Sequence, residues 1–411
     1  MGTRGAWLAC ALGALLLGGC GSDGDSGDDS GDEAPGDAST EVRPGDAGDA
    51  LGGAPPADDD APADGAVSGR VIEAVAGTPL AGVEIELLRF DDGRAVGAAT
   101  SGADGGFSFD GLVRRDAYRL ALSLDGYLDE TVRNVRLPRE GALALEPVRL
   151  VSDDNAGAGG LSGTILDAVT GEPVAGLELA FRRGIEARTG EAAALSVTDA
   201  AGGYLVTGLD YGNYTCEISG AGFQTVYTTV TVLGGIERDE QNAAVSPRPE
   251  VGETRIVLTW GATPDDLDAH LTGPGADGGE PFHVYFADGE APGAELDRDD
   301  TTSFGPETIT VDAASDEAPY RYSVHNFAGG AATVLSRSGA VVRVLRDEGV
   351  VAEFFVPNGE GNLWTVFDIV GGEIVPIDAI GTVDRDAVDD YFAPELRSGA
   401  AARRLVAPAV K

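Results

Sequence analysis

The chain has 411 residues with a formal net charge of −41, 61 glycines, 21 prolines and one methionine. That length is too great for one hydrophobic core and fits about three domains of roughly 100–150 residues each. The charge repels phosphate backbones and anionic lipid, which excludes a nucleic-acid partner, and the glycine and proline content favours strands and turns over helices.

Arg4 supplies a positive start, Ala6 to Leu17 is a short apolar run, and Leu17-Gly18-Gly19-Cys20 closes it with small residues. This pattern resembles the lipobox of bacterial lipoproteins, which implies that residues 1–19 are a signal peptide and that Cys20 becomes the lipidated first residue of the mature chain. A membrane-spanning helix needs about 20 apolar residues, and this run is shorter and broken by glycine. Gly21 stands where an inner-membrane retention signal would carry Asp, so the resemblance points to a lipid-anchored protein of the outer membrane. Once Cys10 leaves and Cys20 takes lipid, Cys216 is the remaining cysteine, and no intramolecular disulfide can form. Alternation of Tyr214, Cys216 and Ile218 with polar neighbours places that thiol on the buried face of a strand.

Residues 20–65 are Gly, Ser, Asp, Ala and Pro with almost no large apolar side chains. Such a segment cannot bury enough surface to offset its ordering entropy, and runs such as Asp58-Asp59-Asp60 extend it, so it reads as a disordered acidic tether.

Two repeats follow. Gly69, Gly77, Pro79 and Gly82 recur as Gly163, Gly171, Pro173 and Gly176, each 94 positions on. Gly106-Phe107 and Gly111-Leu112 recur 97 positions on as Gly203-Tyr204 and Gly208-Leu209; Tyr118 and Gly126-Tyr127 recur 96 on as Tyr214 and Gly222-Phe223. Segments such as Val83-Glu84-Ile85-Glu86-Leu87 alternate with period two, and Asp104-Gly105-Gly106-Phe107 reads as a hairpin feeding an aromatic into a core. Each unit is expected to be a small antiparallel sandwich with Phe107, Tyr118, Tyr204 and Tyr214 facing inward, leaving no aromatic platform for sugar. The combined motifs resemble the carboxypeptidase regulatory-like domain over residues 66–151 and 158–246. That resemblance implies a transthyretin-like sandwich and no peptidase activity. The isopeptide cross-link of related collagen-adhesin modules needs a lysine, and Lys411 is the chain's only one.

Beyond Pro247 and Pro249 the pattern changes, and residues 250–380 predict about eight strands in a jelly-roll-like sandwich. The strands run Arg255 to Trp260, Leu267 to Leu271, Phe282 to Phe286, Thr308 to Val311, Tyr320 to Asn326, Val341 to Leu345, Ala352 to Val356 and Leu363 to Val370. Leu258-Thr259-Trp260, Asp266-Leu267-Asp268-Ala269-His270-Leu271, Leu296-Asp297-Arg298-Asp299-Asp300 and Phe304-Gly305-Pro306-Glu307 resemble the YfaP-like family, which implies a bacterial surface location and no known chemistry. The overall fold class is therefore all-β: a tether, two transthyretin-like sandwiches and a jelly-roll-like sandwich.

All three histidines, His270, His283 and His325, lie in this last module. Asp266, Asp268 and His270 sit at i, i+2 and i+4, which puts them on one strand face while Leu267 and Leu271 point inward. A second acidic group, Asp297, Asp299 and Asp300, follows a loop, and the two together would make an oxygen-rich divalent-cation site. Same-face neighbours on a strand are about 6.7 Å apart, so Asp266 and Asp268 could clasp one ion, whereas Asp266 and His270, about 13 Å apart, could not without a bulge. The expected ion is Ca2+, held by Asp266, Asp268, Asp297, Asp299 and Asp300 with His270 as an outer neighbour; alternatively these acids are a polar face paired with Arg298 and Arg321.

Catalysis is not expected. Neither Ser303 nor Ser323 sits in a Gly-x-Ser-x-Gly elbow, and an Asp266–Asp297 glycosidase pair is no more than the abundance of carboxylates would produce by chance. In residues 381–411, Asp384 could cap a short helix through Phe392, stopped by Pro394. The sequence thus describes a non-enzymatic surface lipoprotein whose sandwich spacers present a module for an extracellular protein, a glycan or a cation. Its rivals are a carbohydrate-binding or hydrolase-accessory protein with a weak Asp/His site, and a purely structural envelope protein.

Overall fold

The computed structural model describes residues 63–138, 141–275, 279–312, 318–384, 388 and 391–392. The signal segment, Cys20, nearly all of the tether, Pro394 and the basic end lie outside the described residues. Among the described residues no helix is long and apolar enough to cross a membrane.

The two repeats fold on one plan. In the first, the sheet Ala95–Thr100, Glu84–Arg89, Ala117–Ser123, Glu130–Arg136 faces a second sheet built on Gly65–Glu73 and Gly106–Leu112. In the second, Ala194–Val197, Glu178–Arg183, Gly212–Ser219, Val226–Val232 face a sheet built on Ala158–Asp167 and Gly203–Asp210. The sandwiches are not purely antiparallel. The short strands Leu143–Ala144 and Val148–Leu150 run parallel to Gly65–Glu73, and Glu237–Arg238 and Ala243–Val245 do the same beside Ala158–Asp167. These last strands lie far along the chain from the first one they pair with, a return that no local hydrophobic pattern records.

The expected inward residues are inward: Phe107, Tyr118, Tyr204, Tyr214 and Cys216 are all buried. The two tyrosines also close the same corner, Tyr118 Oη donating to Val113 O at 3.0 Å and Tyr214 Oη to Asp210 O at 2.9 Å. The glycine of each hairpin is dictated by space as well as by φ. A Cβ on Gly105 (φ +76°) would meet Val71 O at 2.3 Å, and one on Gly202 (φ +70°) would meet Ile165 O at 2.7 Å.

The third module packs a six-stranded sheet on a five-stranded one. The first runs Glu290–Ala291, Ala294–Arg298, Glu307–Val311, Thr254–Thr259, Val341–Arg346, Gly349–Phe355; the second runs Phe282–Val284, Asp268–Gly273, Tyr320–His325, Leu363–Val370, Glu373–Gly381. All pairs are antiparallel, and the core between the sheets includes Ile256, Leu271, Tyr322, Val342, Trp364 and Phe367.

The joints between modules are packed. Asn213 Nδ2 of the second module donates to Glu130 Oε2 (2.7 Å) and Arg149 O (2.6 Å) of the first, while its Oδ1 accepts from Thr231 Oγ1 at 2.7 Å. Ile185 crosses the same joint into the first module's core. Thr308 Oγ1 of the third module donates to Ala168 O of the second at 2.5 Å, beside a small apolar cluster of Ala168, Ala244, Val257 and Leu345. Arg70 of the first module reaches Asn358 Oδ1 of the third at 3.0 Å, so each module touches both others.

Candidate functional site

Two registers assemble the site. Asp268–Gly273 pairs antiparallel with Tyr320–His325, placing Asp268 opposite His325 and His270 opposite Ser323. On the far side of Asp268–Gly273, Phe282–Val284 brings His283 opposite Thr272. Leu267, Ala269 and Leu271 fill the core, so Asp268 and His270 project from the other face of the sheet. That face is not exposed. Val388 and Phe392, helical and buried, pack with Leu363 and Val383, and Phe392 stacks on His270 at a ring separation of 4.9 Å. His270, Ser323 and His325 are all fully buried.

The resulting cluster is crowded with rings and carboxylates. His270 Nδ1 lies 2.9 Å from His283 Nε2, and the His283 ring lies flat on Tyr285 at 4.1 Å. One ligand atom each from Asp268, His270 and His325 lies within 4.8 Å of the others, and the same holds for Asp268, Asp299 and Glu307. Asp268 therefore belongs to both groups. Glu307 enters from the opposite sheet, at the start of Glu307–Val311, and its Oε1 accepts the Ala269 N–H at 2.8 Å.

Burial governs the electrostatics. Desolvation pushes the Glu307 carboxyl well above the usual carboxylate range, and repulsion from Asp268 adds to it. Desolvation, reinforced by His283 and His325, holds His270 well below an ordinary histidine and so keeps it neutral. Tyr322, whose ring lies in the core, is raised by burial and then by Glu307. Asp299 is raised first by desolvation and then by Asp268 and Asp300, although it is exposed.

The other residues expected to join a cation site do different work. Asp297 Oδ2 accepts from Thr310 Oγ1 at 2.6 Å. Asp300 accepts from Arg298 at 2.7 Å and caps its own turn through the backbone and hydroxyl of Thr302, both at 2.9 Å. Asp266 precedes the strand and acts on the cluster through its charge, adding to the rise at Glu307. Arg321 is bound by both oxygens of Asp368 at 2.8 Å. Of the six residues marked by spacing, the geometry joins Asp268, Asp299 and His270 and adds Glu307 and His325.

With the geometry in hand, the chain can be set against known proteins. The sequence profile of the carboxypeptidase regulatory-like domain matches residues 66–150 and again 160–245. The chain carries two carboxypeptidase regulatory-like domains. These two domains contain none of the three histidines and none of the clustered acids, so the site belongs wholly to the third module.

No curated protein matches the chain. Among solved structures it is similar in fold to the minor pilin of Streptococcus agalactiae, with 17% identity, 45% of this chain and 96% of that one covered, and a TM-score of 0.20. It is also similar to the TIE protein of Bacillus anthracis, with 15% identity, 63% of this chain and 45% of that one covered, at 0.20. The shaft pilin SpaA of Lactobacillus rhamnosus GG gives 13% identity, 46% and 99% coverage, and 0.18. Likenesses of this size carry nothing about function.

Proposed function

We propose that the chain is an exported, lipid-anchored surface protein without catalytic activity. In this reading the carboxypeptidase regulatory-like domains form a rigid scaffold that holds the YfaP-like third module for an extracellular ligand. The observation that carries it is the packing at the joints: Asn213, Ile185, Thr308 and Arg70 tie the three modules together without a free linker. A scaffold that must hold a fixed geometry needs contacts at its joints, here a buried amide network, a core residue shared across the first joint and a small apolar cluster at the second. The lipobox-like Leu17-Gly18-Gly19-Cys20 and the acidic segment behind it support an anchored, displayed position at the outer membrane.

The serines support the non-catalytic half. Ser303 Oγ donates to Ala262 O at 3.2 Å, and the buried Ser323 Oγ has no hydrogen-bond partner, so neither is primed by a histidine. The ligand classes that suit the third module are an extracellular protein, a glycan or a divalent cation.

Metabolic labelling with a radioactive fatty acid tests the anchor, and protease treatment of intact cells tests the display. The reading expects label in the wild type, none in Cys20→Ser, and digestion of the folded modules from outside. An unlabelled chain found in the cytosol would overturn it. Screens with peptidase and glycosidase substrates are expected to be blank; activity that disappears in Asp268→Ala would replace the scaffold with an accessory enzyme.

A further inference from the structure

Two histidines in the third module carry ring nitrogens that no described residue satisfies. His270 spends Nδ1 on His283, 2.9 Å away, which leaves Nε2 buried without a hydrogen-bond partner. His325 turns Nε2 toward Asn362 Nδ2 at 3.4 Å and leaves Nδ1 buried without one, 3.8 Å from Asp268 Oδ2. Stability alone gives no reason for this arrangement. A buried donor or acceptor without a partner costs more than an apolar residue of the same size would.

One ligand atom from each of Asp268, His270 and His325 lies within 4.8 Å of the other two. We propose that Asp268, His270 and His325 bind a transition-metal dication of the zinc class. Zinc takes nitrogen at about 2.0–2.1 Å and carboxylate oxygen at about 2.0–2.2 Å, so donors on one tetrahedral ion stand roughly 3.4 Å apart. The 3.8 Å between His325 Nδ1 and Asp268 Oδ2 closes to that with a shift of a few tenths of an ångström.

The surroundings suit such a site. Binding through Nε2 leaves the His270 Nδ1–H to donate to His283 Nε2, the outer hydrogen bond that fixes the tautomer and ring plane of a metal-ligating histidine. Phe392 stacks on His270 at 4.9 Å and packs tilted against His283 at 4.7 Å, covering the rings. Exposed Asp299, grouped with Asp268 and Glu307, opens the cluster to solvent on its acidic side and gives a cation a route in.

The donor set also decides between ions. Calcium takes six to eight oxygens, and the acidic group supplies three side chains, Asp268, Asp299 and Glu307. The His–His–Asp set supplies the three protein ligands of a four-coordinate zinc site with one position left for water or for Glu307. The inference names the ligand of the module proposed above to bind one. It rests on that reading of the third module and not on the lipid anchor, so a failure of fatty-acid labelling leaves it standing.

The test is calorimetric titration of the purified full-length chain with Zn2+ and with Ca2+, joined by the visible spectrum of the Co2+-loaded protein. One equivalent of Zn2+ is expected to bind and to raise the melting temperature, with Ca2+ doing neither. Co2+ is expected to give the intense d–d bands of four-coordinate cobalt. His270→Gln and His325→Asn should each weaken Zn2+ by at least about 100-fold, and His283→Gln by about 10–100-fold. Should the histidine variants fail to fold, the wild-type cobalt spectrum still decides. No Zn2+ binding, a weak six-coordinate cobalt spectrum, or a melting shift with Ca2+ in place of Zn2+ would overturn the assignment.

Discussion

The second and third modules are both two-sheet sandwiches, yet they treat buried polarity in opposite ways. In the second, most of the polar groups inside are spent on the fold, with Gln224 Oε1 left without a partner. Asn213 makes three hydrogen bonds, Thr215 Oγ1 donates to Gly184 O at 2.8 Å while accepting the Ala187 N–H at 2.8 Å, and Thr198 Oγ1 accepts the Leu177 N–H at 2.9 Å. In the third, Glu307 Oε2, His270 Nε2, His325 Nδ1, Tyr322 Oη and Ser323 Oγ are buried without hydrogen-bond partners. Satisfied polarity fixes a structure; unsatisfied polarity charges the structure a cost that something else must offset. The contrast is the reason the metal site proposed above falls in the third module.

Truncating an apolar core should hurt both modules alike, and this is the largest effect expected. Phe181→Ala in the second and Trp364→Ala in the third each remove a fully buried ring, at a cost of about 3–5 kcal/mol by urea unfolding. A markedly smaller loss at Trp364 would mean that the third core is not the packed body described. Asn213→Ala comes next, because it strands Glu130 Oε2 and Arg149 O at the first joint; a loss of about 2–4 kcal/mol is expected, read from the same unfolding curves. A near-zero change would turn that joint into a loose contact.

A smaller and pH-dependent effect is expected at Glu130. Burial raises its carboxyl above the ordinary value of 4.5, and hydrogen bonds from Thr131 and Asn213 only partly oppose this. The native state then holds the proton more tightly than the unfolded chain. Stability from this group is complete below the unfolded value and is lost as pH rises through the folded one. The unfolding free energy of the wild type, measured relative to Glu130→Gln, should therefore grow as pH falls from about 7 to about 5. Constancy or a decline over that range would contradict the burial of Glu130. The smallest effect belongs to Arg70→Ala, which removes a hydrogen bond at the rim of the first–third contact and should cost about 0.5 kcal/mol or less.

The repeats were legible because their strands alternate with period two and their turns use glycine and proline at matched offsets, so local pattern and fold agree. The parallel closing strands were not, since Val148–Leu150 and Ala243–Val245 are short and their partners are far along the chain. In the third module the eight expected strands all occur in some form, and three more accompany them. Glu373–Gly381 was hidden by Pro376, which an edge strand tolerates, and Ala294–Arg298 by its charges.

The site was half legible. Asp268 and His270 follow from alternation within one strand. Glu307 and His325 arrive from other strands through register, and no spacing rule connects them to Asp268. Phe392 entered the reading only as the end of a helix, because a ring that will cover a histidine looks in sequence like any other ring. Asp297 and Asp300 illustrate the converse: acidic spacing marked them, but Thr310 and Arg298 claim them.

Diffraction from crystals of the full-length chain grown with zinc, recorded on both sides of the zinc absorption edge, tests the account most directly. The account predicts one dominant anomalous peak enclosed by Asp268, His270 and His325, with none in the two carboxypeptidase regulatory-like domains. Peaks confined to exposed carboxylates, with the two histidine rings unshifted and no density between them, would contradict it.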